Sequence, residues 1–189
     1  MRIIAGKYKS RKIFSSLPSK ANVIRGKIST VRPTSDRAKE TLFNVLNNRI
    51  DFDETTCLDL FAGSGSLGFE ALSRGAKRCD FVELSAHQIQ MLKKTADSIG
   101  CTNDINIYKE DAIAFLETNA GGSYDLIFAD PPYAYENYNE LLTGVLNLKF
   151  SIFVVEFGAE GKFLYEIKEF DIIDKKIGVT NFKIFVSKE

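Results

Sequence analysis

Only three cysteines and one histidine occur among the 189 residues, and their placement excludes several kinds of site. Cys57, Cys79 and Cys101 are odd in number, widely spaced and without any C-x-x-C pairing, which argues against a disulfide framework and against structural zinc. His87 has no partner ligand and reads as a surface residue at the start of a helix, and Cys79, inside a strand-like run, reads as core rather than nucleophile. No metal is expected. Long apolar runs are missing too: the longest strong one, IFVV at 152–155, is strand-sized against the roughly 20 residues of a membrane helix. The opening MRIIAGKYK carries basic residues but no apolar stretch of the kind a secretory signal needs, so a reducing cytoplasm is the expected compartment. Repeats and low-complexity segments are absent. What remains, with 44% apolar residues, suffices for the core of one domain, or of one domain with an appendage, and suggests a monomer.

The net charge of zero conceals an asymmetry. Residues 1–39 hold 11 Lys and Arg against the single acid Asp36, whereas residues 40–189 hold 14 against 24 acids. A basic arm on an acidic body points to a polyanionic partner such as nucleic acid. The alternative is a solvated tail, but Ile3, Ile4, Tyr8, Ile13, Phe14, Val23, Ile24 and Ile28 are interleaved with the charges and point to short ordered strands. The organisation this suggests is a basic β-hairpin arm over 1–31 and a second domain over 32–189.

RPTSDRAKETLFNVLNN then reads as a helix, with Thr34 or Ser35 as cap and Ala38, Leu42, Val45 and Leu46 on one face. Strands are expected at 56–61, 79–83, 105–109, 124–129 and 151–156. Helices are expected between them, at about 66–73, 85–99, 111–119 and 136–147. Two further strands, EFDIID and NFKIFVS, are joined through KKIGVT. Alternation of this kind predicts an α/β fold: a mostly parallel sheet with helices on both faces and ligands at the carboxyl ends of the strands. Four consecutive strand ends carry an acid: Asp59, Glu83, Asp111 and Asp130.

FAGSGSLG at 61–68 fits the G-x-G-x-x-G turn with Gly63, Gly65 and Gly68, and Glu83 lies at a distance suited to ribose hydroxyls. The glycines alone fit NAD, adenosylmethionine or any tight strand-to-helix connection. Asp59, inside the strand, is less expected for NAD and suits a cofactor carrying an ammonium and a sulfonium. Asp111 could receive the adenine amino group, with the Ala112 N–H nearby.

DPPY at 130–133 is more specific. The two prolines stiffen the loop, so the Asp130 carboxylate and the Pro131 carbonyl can converge as acceptors, and Tyr133 offers a stacking face for a flipped base. Two acceptors on an exocyclic amine would orient its nitrogen toward an electrophilic methyl group. In-line methyl transfer needs little beyond such positioning, which can supply up to about 7–11 kcal/mol. The alternative is a proline turn with an incidental tyrosine.

Taken together, LDLFAGSGSLGFEALSRGA, the acid of FVE, the pair Asp111 and Ala112, and ADPPY resemble a class I adenosylmethionine-dependent methyltransferase of the amino-methylating kind. MRIIAGKYKSRKI, RPTSDRAKETLFNVL and KKIGVT narrow the resemblance to the RsmD family of 16S rRNA guanine-N2 methyltransferases. That resemblance implies a Rossmann-like class I sheet with an antiparallel C-terminal hairpin strand, S-adenosyl-L-methionine as cofactor, and 16S rRNA in a partly assembled small ribosomal subunit as partner. Cofactor contacts are then expected from Asp59, Phe61, Ala62, Gly63, Gly65, Glu83, Asp111 and Ala112, and guanine contacts from Asp130, Pro131 and Tyr133. RNA contacts are expected from Arg2, Lys7, Lys9, Arg11, Lys12, Arg32, Thr34 and Arg37. Ser10 stands where the family usually carries glycine in its first hairpin. The competing readings are an adenine-N6 DNA methyltransferase, which lacks a separate target-recognition domain here, a catalytically silent RNA-binding assembly factor, and a hydride-transfer NAD enzyme, which leaves DPPY unexplained.

Overall fold

The computed structural model describes residues 1–15, 36–132, 134–157, 167–178 and 180–188. Seven strands form one sheet: β1 Thr56–Leu60, β2 Arg78–Val82, β3 Ile105–Tyr108, β4 Ser123–Ala129, β5 Lys149–Phe157, β6 Phe170–Ile177 and β7 Thr180–Ser187. Their spatial order is β3-β2-β1-β4-β5-β7-β6. The first five run parallel, and β7 pairs antiparallel with both β5 and β6. The helices are α1 Asp36–Leu46, α2 Ser66–Ser73, α3 Ala86–Ile99, α4 Ala112–Thr118 and α5 Tyr138–Leu146.

Residues alternate across the pleat, which explains the two cores. Cys57, Leu126, Phe128, Ile152 and Val154 face the layer of α1, α2 and α3, while Leu58, Leu60, Ile127, Ala129, Phe153 and Val155 face α4 and α5. Asp59 and Asp130 belong by this alternation to the first face. The sheet order reverses between β1 and β4, so their carboxyl ends form the crevice in which α/β sheets bind ligands.

The expected elements appear with shifts of a few residues. The one change in kind concerns KKIGVT: Lys175, Lys176 and Ile177 pair with β7 instead of forming a loop, and the chain reverses at Gly178, whose φ is +64°. Lysines suit this strand because it is the sheet's edge and faces solvent.

The described part of the arm is a tight hairpin with a single antiparallel bridge, Arg2 to Lys12. Ile3, Tyr8 and Ile13 are buried in the same cluster as α1, α2 and α3. Its tip covers the end of α2, where the Lys7 and Tyr8 N–H groups donate to the Ser73 carbonyl and hydroxyl at 2.6 and 2.9 Å. Only glycine fits at position 6, since a Cβ there would lie 1.7 Å from the Ser73 carbonyl oxygen. Val23, Ile24, Ile28 and the capping positions Thr34 and Ser35 lie outside the described residues.

Candidate active site

The turn after β1 is built from left-handed residues: Phe61, Gly63 and Gly65 have φ of +57°, +54° and +73°. The Gly65 N–H donates back to the Ala62 carbonyl at 2.7 Å and closes the turn. The three glycines serve different ends. A Cβ on Gly65 would strike Leu92 and Phe69, and one on Gly68 would strike Phe81 and Cys79, so both permit close packing inside the protein. A Cβ on Gly63 would meet nothing nearer than the Phe61 carbonyl oxygen at 3.8 Å. Gly63 is therefore the glycine that borders open space, and a ligand can approach its backbone.

Two carboxylates hold this turn. Asp59, 2% exposed, accepts the Gly68 N–H at 3.0 Å, acting as a cap for α2 from inside β1, because Gly65 has no side chain to do so. Glu83, at the end of β2, accepts the Gly63 N–H through Oε2 and the Ser85 N–H through Oε1, both at 2.7 Å. Each of its oxygens keeps a second lone pair for a hydroxyl donor. Burial pushes the Asp59 carboxyl well above the usual range, the neighbouring Asp130 and Glu83 charges add to this, and the Gly68 N–H opposes it. Three carboxyl groups thus converge on one crevice, which favours a ligand carrying positive charge.

Asp111 caps α4, its Oδ1 accepting the N–H groups of Ile113 and Ala114, and it is exposed at the carboxyl end of β3 beside the buried Ala112. Asp130 follows β4 and is partly buried, Pro131 is buried, and Pro132 is exposed. The Tyr135 N–H donates to the Pro132 carbonyl at 2.8 Å and fixes the loop as a turn. Tyr133 lies outside the described residues. Asp59, Phe61, Ala62, Gly63, Gly65, Glu83, Asp111, Ala112, Asp130 and Pro131 accordingly occupy adjacent strand ends at one edge of the sheet.

Sequence reasoning missed two neighbours. Leu84, directly after Glu83, is 64% exposed at this edge, an apolar side chain facing solvent beside an acid. Tyr135 sets its ring edge-on to Phe61 and Tyr138, at 5.2 and 5.3 Å between centroids. An exposed residue type that normally prefers burial, immediately after a strand-terminal acid, is the signal that could have found Leu84.

Among the basic residues, Lys7, Lys9, Arg11, Lys12 and Arg37 are exposed, while Arg32 and Thr34 lie outside the described residues. Arg2 pairs with Asp36 at 3.0 Å. Lys12 and Lys94 both place their ammonium groups over the Phe14 ring, at 5.2 and 4.5 Å, which carries positive charge from the arm onto α3. His87 is exposed and the three cysteines are buried and free. Among the described residues no helix is long and apolar enough to cross a membrane, and no cluster of His, Cys, Asp or Glu could hold a metal ion.

A reversed parallel sheet with an antiparallel last pair, a glycine turn, an acid inside β1 and an acid after each of β2, β3 and β4 define the class I methyltransferase fold. Two solved structures share it over almost their full length. One is a "putative methyltransferase yhhF" from Escherichia coli, 27% identical, TM-score 0.79, covering 99% of this chain and 97% of its own. The other is a "putative methylase HI0767" from Haemophilus influenzae, 29% identical, TM-score 0.76, covering 100% and 98%. The chain belongs to the RsmD family: the family model described as "conserved hypothetical protein 95" matches residues 1–186. Relatives include a "ribosomal RNA small subunit methyltransferase D" of Haemophilus influenzae, 41% identical over 71% of this chain and 65% of its own length. A "putative rRNA methyltransferase YlbH" of Bacillus subtilis is 37% identical over 76% and 72%. The match thus spans slightly less than two thirds of the Haemophilus relative.

Proposed function

We propose that this chain transfers a methyl group from S-adenosyl-L-methionine to the exocyclic N2 amine of a guanine in small-subunit 16S rRNA. It acts as a cytoplasmic monomer on a partly assembled particle. The observation that carries this reading is the convergence of Asp130 and the Pro131 turn with the Asp59, Gly63 and Glu83 cradle at one sheet edge. The names of the RsmD relatives support rRNA as the substrate.

The residues fit such a cofactor: Gly63 borders open space, Glu83 has spare acceptor capacity, Leu84 offers an apolar face, and Asp59 is a buried carboxyl in need of positive charge. When bound, the cofactor supplies an electrophilic methyl group. Glu83 accepts from ribose hydroxyls, Asp111 accepts the adenine amine, and the backbone at Phe61 and Ala62 walls the turn. Asp130 and the Pro131 carbonyl accept the two N–H bonds of the target amine, and Tyr133 stacks on the base. Asp130 works chiefly by orientation, and it can take the proton that the methylated amine releases. The exposed groups of Lys7, Lys9, Arg11, Lys12 and Arg37 neutralise phosphates, and Arg2, Arg32 and Thr34 add to the arm's contacts.

The test is transfer of labelled methyl to small-subunit particles lacking the modification. The parent chain should label a guanine in 16S rRNA, and Asp130→Ala should lose about 10²–10³-fold, the size of removing one preorganised polar contact, with cofactor binding retained. Full activity of Asp130→Ala would remove Asp130 from the site. Labelling of adenine in duplex DNA in place of rRNA would overturn the substrate.

A further inference from the structure

Phe14, which follows the hairpin, carries two cations. The exposed Lys12 and Lys94 place their ammonium groups over its ring at 5.2 and 4.5 Å from the centroid, one from the arm and one from α3. The ring is fixed through its backbone: the Phe14 N–H donates to the Thr95 hydroxyl at 3.1 Å, and that hydroxyl donates to the Met91 carbonyl at 2.9 Å. By their distances to one ring the two charges are at most about 10 Å apart, near the screening length of dilute salt, so each raises the potential at the other. No carboxylate of the described residues pairs with either lysine, and Asp97, the single acid of α3, accepts the Thr102 hydroxyl instead. An aromatic face attracts an ammonium without accepting a conventional hydrogen bond, so the N–H donors of both lysines stay available to a partner.

We propose that Lys12, Phe14 and Lys94 form a phosphate clasp that holds the rRNA backbone against α3, so that the RNA-binding surface extends beyond the arm. This rests on the rRNA reading above. Two neighbouring like charges with free donors and no counter-charge fit a partner that is anionic along its length and rich in acceptor oxygens, as a phosphodiester backbone is. The place fits as well. α3 starts at the Ser85 cap, whose N–H is held by Glu83 of the cradle, and Lys94 lies about 12–14 Å further along the helix axis. The clasp therefore stands on the flank of the crevice and serves to hold RNA, not to transfer the methyl group.

Binding to deproteinised 16S rRNA across a potassium chloride series tests this, because phosphate contacts need no particular sequence. Lys94→Gln should bind about 3- to 10-fold more weakly at low salt and reduce the slope of log affinity against log salt by about 0.7–0.9, the value of one phosphate contact. Lys94→Arg should keep the parental slope. Lys93→Gln removes the same charge from an exposed position about 100° round the helix and should change the slope less than about half as much. An unchanged slope for Lys94→Gln, or an equal change for Lys93→Gln, would show only the diffuse field of a basic surface and overturn the clasp. Weaker binding of Lys94→Gln confined to assembled small-subunit particles, with naked rRNA unaffected, would put an acidic protein on the patch and overturn it equally. Adenosylhomocysteine affinity should match the parent's in every variant, and a loss in Lys94→Gln would move the lysine to the cofactor site and overturn the proposal. Failure of the parent chain to bind rRNA would instead remove the reading on which the proposal stands.

Discussion

Replacing Glu70 by glutamine keeps the size of the side chain and removes one charge from a place where nothing is solvated, since the side chains of Glu70 and Lys39 are 0% and 1% exposed. The Glu70 carboxylate accepts the N–H groups of Ile4 and Ala5 at 2.8 and 3.1 Å and the Arg74 Nε–H at 2.9 Å, with the Lys39 ammonium 3.7 Å away. An amide has one acceptor oxygen and turns an NH₂ toward these donors. Lys39 would keep the Arg2 carbonyl and the Ser66 hydroxyl as acceptors but lose its counter-charge. Breaking a buried pair from one side costs about 3–5 kcal/mol. In a chain of this length that lowers the melting temperature by about 6–20 °C.

Lys39→Met should cost less, about 2–3 kcal/mol, because Glu70 retains Arg74 and two backbone donors. The double variant should be less destabilised than the sum by about 0.5–3 kcal/mol. Urea unfolding at unchanged slope measures the three values, and hydrogen exchange at the Ile4 and Ala5 amides reports whether the arm has come loose. A Glu70→Gln loss below about 1 kcal/mol, with additive doubles and unchanged exchange, would refute the reasoning and leave the arm held mainly by Ser73, Thr95 and its buried apolar residues. Burial holds Lys39 below the usual lysine range, with Glu70 and Asp36 pulling it back. The folded chain therefore binds fewer protons than the unfolded one in the window just below the ordinary lysine value, and stability rises with pH there. Lys39→Met should lack that rise.

Two further perturbations test the turn and the hairpin. Asp59 has a folded pKa raised above its unfolded one, so its contribution favours the folded state at low pH and is lost as pH climbs above the ordinary aspartate value. Asp59→Asn keeps an oxygen for the Gly68 N–H; it should be more stable than the parent at neutral pH in urea titrations and bind adenosylmethionine about 10-fold more weakly, and a less stable variant would contradict the assignment. Ser10 sits at φ +68° in the hairpin turn. Glycine there removes about 1–2 kcal/mol of side-chain strain against about 0.5–1 kcal/mol of lost chain entropy; Ser10→Gly should melt about 1–3 °C higher, and a lower value would show that the serine side chain holds the turn.

The strand ends were legible because each element announces itself locally: short strand-like runs end close to an acid, and a glycine turn or capping residue starts the next helix, as with Ser85 and Asp111. What escaped was whatever depends on contacts far apart in sequence. Tyr135 follows DPPY as one more loop aromatic, and its neighbour Phe61 is 74 positions away. Nothing local in FEALS marks Glu70 as buried, yet every α2 residue from Leu67 to Ser73 is, because β2, α3 and the arm surround that helix. The charge count over 1–39 could not show which charges are free: Lys39 is buried against Glu70, and Arg2 is paired with Asp36. α2 also joins what the sequence presents as separate parts. Its first turn is fixed by Asp59 through Gly68, and its second half grips the arm through Glu70 and Ser73. The glycine turn at Gly63 and the basic hairpin therefore share one eight-residue support. Under the proposed function, this helix would set the register between the arm and the Asp130 loop.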